Sequence, residues 1–453
     1  MIHLIVQLSK YLMMILFMVY TFECFHVFKF KGNFQKQLDI YNRQRKLMYI
    51  IHFDGFFVLL ITTGNFNLIG LYLMQIVLFV GIYMVYHMFY KNASELVLNN
   101  MCMLLSIGMI ILTRLSYEKA MRQFLFITAG SCIAMIIPLI LSKMSLFRKL
   151  KWLYAALGIV ALLYVLIAGG VSYGAKLSIS IGGFSIQPSE FVKIIFVFYI
   201  ACMLYKNQDM HTVIVTSAVS AVFVLILVAS KDLGGALLFF FTYLVMIYVA
   251  TKKWYYFAGG IGLLALAAMV GYKLFSHVQT RVMAWKDPLS LIDSGGYQVS
   301  QSLFAIGTGG WFGMGLNQGM PEKIPVVEKD IIFSAISEEM GGFFALCLIM
   351  VCVSCFLMIF NVSMQMRDEF YKLVALGLGS TYALQVFLTI GGVTKFIPST
   401  GVTLPLISYG GSSLLSTMIL FGIIQGLYII QYEQKEYRKI KKNLKGNQNE
   451  DGK

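Results

Sequence analysis

Several charged residues stand where the surrounding sequence is apolar, and these are the positions that could do chemistry. In GGFSIQPSEFVK (182–193), Pro188 suits the first turn of a helix. Ser189 and Glu190 can serve the free amides and the positive dipole end there. Lys193 falls about one turn further in, where a lysine is costly and has either a partner or a function. Either Glu190 holds it as a structural pair, or it faces an anionic ligand. Lys231 and Asp232 open KDLGGA (231–236). Asp232 reads as a helix N-terminal charge, and the adjacent opposite charges also suit a polar cavity. Glu338 and Glu339 lie about two turns into another apolar run. Paired acids inside a span are expensive and are functional candidates, although one of the two could snorkel or pair with a lysine.

Two further stretches supply polar groups on irregular backbone. The segment from Arg281 to Gly342 carries Asp287, Asp293, Glu322, Glu328 and Asp330 among glycine clusters and amphipathic pieces, with Gln298 in its GYQ. In IPSTGVTLPLISYGGSS (397–413), Pro398 and Pro405 break helices, and Gly410 and Gly411 let a backbone approach closely. Ser408, Ser412 and Ser413 add hydroxyls, and Lys395 stands just before. Irregular backbone at membrane depth is tolerated only against protein or a water-filled cavity. A purely structural break and a cavity-lining break are both compatible with that.

The elements that must position these groups are membrane helices. Of 453 residues, 58% are apolar and 13% charged, against roughly 25% charged in a soluble domain. In lipid only helices or closed barrels satisfy their backbone groups, and apolar runs of about 17–25 residues are of helix length. The expected class is all-α and polytopic, with spans near 4–27, 48–65, 67–90, 98–113, 121–142, 152–170, 188–205, 212–230, 232–250, 254–275, 332–361, 370–394 and 408–430. That is thirteen, with a long outer loop between the tenth and eleventh. The first lacks a basic leader and a clear cleavage site, so it is read as a retained anchor.

Basic residues orient the chain. Lys29, Lys31, Lys36, Arg43, Arg45 and Lys46, then Arg148/Lys149/Lys151, Lys252/Lys253, Arg367/Lys372 and the tail with Arg438, Lys439, Lys441, Lys442 and Lys445 all fall on one side, the cytoplasmic one. The N-terminus and the stretches 171–190, 276–331 and 395–412 then lie outside. Because the basic residues sit in these short loops, the excess of 15 positive charges is not a nucleic-acid footprint. All seven cysteines fall in apolar stretches and read as small hydrophobes, Cys352 and Cys355 included. No zinc-type ligand spacing occurs. Residues 443–453 read as a short disordered end.

The segments GGFSIQPSEFVK, KDLGGALLF, GYQVSQSLFAIGTGGWFGMGLNQG, DIIFSAISEEMG and PSTGVTLPLISYGGSS resemble, in order and spacing, the SEDS family of RodA, FtsW and SpoVE. The resemblance covers roughly 95–430, leaving 1–94 as an added helical membrane extension of about three spans and 431–453 as a basic cytoplasmic tail. It implies a peptidoglycan glycosyltransferase of the bacterial plasma membrane, polymerising lipid II, a disaccharide-pentapeptide on undecaprenyl diphosphate, at the outer leaflet. A class B penicillin-binding protein, a transpeptidase, is the implied partner, with membrane lipids around it.

Such a reaction calls for a carboxylate base at the acceptor hydroxyl and for cations or a divalent metal ion at the leaving diphosphate. No metal ligands are assigned. Family members carry an essential aspartate where this chain has Leu291; Asp293, two residues along, is the first candidate for the base, and Asp287 the second. Lys193, Lys231 and Lys395, with Arg281 at the rim, are expected near the diphosphate. Glu190, Asp232, Gln298, Asp330, Glu338, Ser408 and Ser412 complete the expected substrate site. Two alternatives stay open, a catalytically impaired scaffold for a transpeptidase and a lipid-linked sugar flippase.

Overall fold

The computed structural model describes residues 2–30, 32–141, 147–172, 175–181 and 184–450; Lys31 and residues 451–453 of the tail, which enter the sequence reading, lie outside them. The apolar runs form helices in chain order: α1 (Ile2–His26), α2 (Phe34–Thr63), α3 (Asn67–Phe89), α4 (Glu95–Leu115), α5 (Tyr117–Leu141), α6 (Lys151–Ala168), α7 (Pro188–Leu204), α8 (Met210–Ala229), α9 (Leu233–Thr251) and α10 (Trp254–Leu274). The outer loop carries α11 (Ser276–Lys286) and α12 (Tyr297–Gly309). There follow α13 (Ile332–Met340), α14 (Gly342–Gln365), α15 (Glu369–Val393) and α16 (Gly411–Glu450).

Among the described residues twelve helices are long and apolar enough to cross a membrane. The thirteenth expected span is α7, only 17 residues long and largely buried. The protein is therefore a polytopic, all-α, multi-pass membrane protein. Its central pillar is α4, whose most apolar stretch is entirely buried, against α2, α5 and α14. At the periphery α10 buries none of its residues. Loops assigned to one face meet one another: Arg148 reaches Asp368 at 2.8 Å and lies over the Tyr371 ring.

Four local expectations are corrected. The run 332–361 is two helices, because Gly341 takes φ +87°; a Cβ there would stand 2.4 Å from the Gly313 amide nitrogen. Glu338 and Glu339 thus lie on a nine-residue helix outside the span. Helix α2 starts at Phe34, capped by the Asn33 side chain, so Lys36, Arg43, Arg45 and Lys46 ride on a helix rather than a loop. Residues 170–186 contribute an antiparallel sheet of β1 (Gly170–Ser172), β2 (Ala175–Ile181) and β3 (Phe184–Ile186), paired Gly170↔Ser178 and Ile179↔Ile186. The alternation KLSISI in β2 has the period of a strand. Helix α16 runs on to Glu450, so most of the tail read as irregular is helical; its run of Glu, Gln, Lys and Arg from Glu433 contains no proline.

Candidate functional site

The first turns of α7 start a buried polar network. Lys193 is 4% exposed. Its Nζ donates to Glu190 Oε2 at 2.5 Å and to Gln385 Oε1 on α15 at 2.9 Å. Gln385 Nε2 donates to the Thr403 carbonyl at 3.1 Å and to Ser413 Oγ at 3.3 Å. Ser416 Oγ donates to Glu190 Oε2 at 3.2 Å. One network therefore ties α7, α15, the 395–410 break and α16 together at a depth where unpaired polar groups are costly. Glu190 holds Lys193, which leaves one of the three ammonium donors free.

Above this network the second group assembles around Arg281. Asp232 caps α9, accepting from the Gly235 amide at 2.9 Å. The next turn lies against the break: a Cβ on Gly234 would fall 2.7 Å from the Thr400 carbonyl oxygen. Arg281, on α11, donates to the Ser399 carbonyl at 3.2 Å. Its charge bears on both Asp232 and Asp330 and, with that of Lys231, on His277. Burial pushes the carboxyls of Asp232 and Asp330 above the usual range, with Arg281 pulling each partly back. Burial, then the same two cations, hold His277 low. Two carboxyls of raised proton affinity beside cations can accept a proton from a hydroxyl while an anion leaves.

The remaining sequence candidates take varied places. Ser408 Oγ donates to the Lys329 carbonyl at 2.5 Å and accepts from the Leu404 amide at 2.9 Å. Ser412 Oγ accepts from the Gln187 amide at 2.9 Å. Both hold the break against its neighbours. Gln298 Nε2 donates to the Pro325 carbonyl at 3.1 Å, bracing the outer loop internally. Lys395 accepts at its carbonyl from Trp285 Nε1 at 3.1 Å. Asp287 caps a turn through the Ser290 amide at 3.2 Å. Asp293 is exposed on the same turn, which closes by the Gly296 amide donating to the Leu291 carbonyl at 2.9 Å. Among the described residues, neither Asp287 nor Asp293 makes a contact with Arg281.

Glu338 and Glu339 form a separate cluster. Glu339 meets Arg114 Nε at 2.9 Å and accepts from the Asn317 amide at 3.1 Å. Glu338 Oε1 accepts from the Met320 amide at 3.0 Å, while its Oε2 is buried without a hydrogen-bond partner among the described residues. Burial, only partly countered by Arg114, raises the Glu339 carboxyl to about 7. A carboxyl raised in the folded state binds its proton there and not in the unfolded chain. Stability is thus expected to fall as pH rises from about 4.5 to about 7, by at most about 3–4 kcal/mol, and then to level off. Thermal midpoints of the purified protein across that range check this; in Glu339→Gln the slope should flatten.

Sequence reasoning missed Gln385, His277, Arg114 and Lys119, the last at 2.5 Å from Glu328. A glutamine in the middle of the apolar run of α15 was a readable signal. Among the described residues no three His, Cys, Asp or Glu side chains converge as metal ligands. Between α14 and α15 lies an apolar cavity of about 360 Å³, lined by Cys352, Phe356, Tyr382, Val386 and Phe387 among others, that reaches Thr394 and Phe396 beside Lys395.

The order of these segments matches a known family. The cell cycle protein family FtsW/RodA/SpoVE aligns with residues 94–434. This chain belongs to the FtsW/RodA/SpoVE family. Within it the chain is 38% identical over 267 residues to the peptidoglycan glycosyltransferase RodA of Mycobacterium tuberculosis, covering 55% of this chain but only 57% of that relative. It is 32% identical over 375 residues to RodA of Mycobacterium leprae, covering 77% and 80%. With stage V sporulation protein E of Bacillus subtilis it shares 34% identity over 326 residues, 68% and 86% of the two chains. The fold matches a chain of a peptidoglycan synthase complex that coordinates polymerization and crosslinking, with a TM-score of 0.65 at 22% identity over 75% of this chain and 98% of that one. It also matches Thermus thermophilus RodA, with a TM-score of 0.58 at 23% identity over the same shares.

Proposed function

We propose that this FtsW/RodA/SpoVE member is a glycosyltransferase that polymerises peptidoglycan strands from lipid II, acting with a class B penicillin-binding protein that crosslinks them. The observation that carries this reading is Arg281, bound to the Ser399 carbonyl of the break and acting by its charge on both Asp232 and Asp330, beside the Glu190–Lys193–Gln385 network. The acceptor hydroxyl oxygen attacks the anomeric carbon of the donor, and the new C–O bond replaces the one to undecaprenyl diphosphate. The proton passes to a carboxylate, and the bonding pair leaves on the diphosphate oxygen. Arg281, Lys231 and the free donor of Lys193 offset that charge. Asp330 is the base this reading favours, because burial raises the proton affinity of its carboxyl, which suits proton transfer near neutral pH. Asp293 is the second choice, its carboxylate being exposed and without a partner among the described residues. Residues 95–430 would carry the activity, with 1–94 as an added extension.

Strand formation from lipid II by purified protein, alone and with the transpeptidase, tests the reading. Polymer from the protein alone is the expected result. No polymer under any condition from well-folded protein would favour a non-catalytic scaffold, the reading that Leu291 supports.

The polymerase needs Arg281 and Asp330 at the outer leaflet, and the distribution of basic loops supports that orientation. In a background lacking native cysteines, a membrane-impermeant thiol reagent on intact cells should label Ser294→Cys and spare Asn207→Cys, both exposed positions. The reverse pattern would overturn the orientation.

A further inference from the structure

The segment 310–320 crosses the end of α13 as a strap, and its other side is gripped by the N-terminal helix. On the inner side the Met314 and Gly315 amides donate to the Glu338 and Glu339 carbonyls at 2.9 and 2.8 Å. The Asn317 and Met320 amides donate to the two carboxylates at 3.1 and 3.0 Å. Arg114 Nη2 donates to the Gly319 carbonyl at 3.1 Å. On the outer side, one face of α1 reads four consecutive strap residues. Tyr11 meets the Phe312 ring at 5.9 Å. Lys10 Nζ donates to the Gly313 carbonyl at 3.1 Å, and Gln7 Nε2 to the Met314 carbonyl at 3.3 Å. A Cβ on Gly315 would fall 2.9 Å from Val6 Cγ1.

Lys10 is the informative residue. It is 8% exposed within an apolar helix, where a lysine calls for a partner. Among the described residues its only hydrogen-bond acceptor is that strap carbonyl, with its own neighbour's ring 4.8 Å away. Such a contact holds a segment in place. Helix α13 spans nine residues, about 13 Å, and Asp330 lies two residues before its start. A rigid helix gripped at its C-terminal end fixes where its N-terminal end delivers Asp330.

We propose that α1 is a positioning element: through Lys10 and Gln7 it holds the 312–315 strap on α13 and so fixes the place of Asp330, a consequence for turnover that rests on the polymerase reading above. Full-length protein carrying Lys10→Met with Gln7→Leu is compared with the unmodified chain by hydrogen exchange and by strand synthesis from lipid II. Amides of 312–320 should exchange faster while those of α4 and α15 do not. The kcat should fall roughly tenfold or more, as for misplaced catalytic groups, with KM little changed. Lys10→Arg, which keeps the donor, should restore both. If the double variant does not fold, Gln7→Leu alone should move both readouts in the same direction by less. Unchanged exchange would overturn the grip, and faster exchange with full kcat would overturn the link to Asp330. If the unmodified chain makes no strands, the polymerase reading falls, and the exchange comparison alone decides whether α1 holds the strap.

Discussion

Lys193→Met is expected to abolish strand synthesis and to destabilise the protein strongly, whereas adding Glu190→Gln should return the stability without the activity. The pair is enclosed, with Lys193 and Glu190 side chains 5% and 14% exposed. Removing one member leaves the other charge buried, which costs about 3–5 kcal/mol. Glu190 would be left with the Ser416 hydroxyl, and Gln385 Oε1 would lose its donor. With both charges gone the desolvation penalty vanishes, and the Gln385 links to Thr403 and Ser413 can persist. Thermal midpoints and strand synthesis measured on the same preparations separate the two effects. A double variant that regains both stability and full activity would show that the pair is only a strut.

Asp330→Asn is expected to lower kcat by roughly 10²–10⁴-fold, the usual contribution of a positioned base, with expression and thermal midpoint retained. The amide keeps the size of the carboxyl and loses the ability to take a proton. Because burial holds the Asp330 carboxyl above its ordinary range, activity should decline as pH falls through that raised value, where the base becomes protonated. The acid limb should disappear from the residual rate of Asp330→Asn. Asp293→Asn should cost less than about tenfold, a peripheral share of such an effect, and Asp287→Asn should mainly loosen the Ser290 turn. A large loss in Asp293→Asn with full activity in Asp330→Asn would transfer the base to the exposed turn.

The helices were legible because lipid imposes a length on every apolar run, and α3, α8 and α9 fall within a few residues of their expected bounds. The Glu190–Lys193 pair was legible too, since it spans one helical turn. Gln385 showed as a polar residue in an apolar run, but its partner did not, because Lys193 is 192 positions away and only packing brings them together. The split at Gly341 was hidden for the same reason: its φ is bound up with the close pass of Gly313, which lies 28 positions earlier in the chain. Arg114, Lys119 and Arg122 form a basic cluster on the side assigned as outer, against the trend that orients the rest. Each is neutralised by an acid, Glu339, Glu328 and Glu118 in turn. Two of those acids come from the loop and helix more than 200 positions away, which is why a count of local charge could not explain them.

Lys231 and Lys395 end their helices in the left-handed region, at φ 61° and 59°. Backbone energetics alone would place glycine at both, since a side chain there costs about 1–2 kcal/mol. A lysine kept in such a turn is held against the preference of its own main chain. Charge and framework are consequently separable at these two corners. Lys231→Gly and Lys395→Gly would remove two cations expected near the diphosphate while the turns that aim α9 and the Pro398 break stay as they are. The local electric potential thus becomes a dial that can be turned with the architecture fixed.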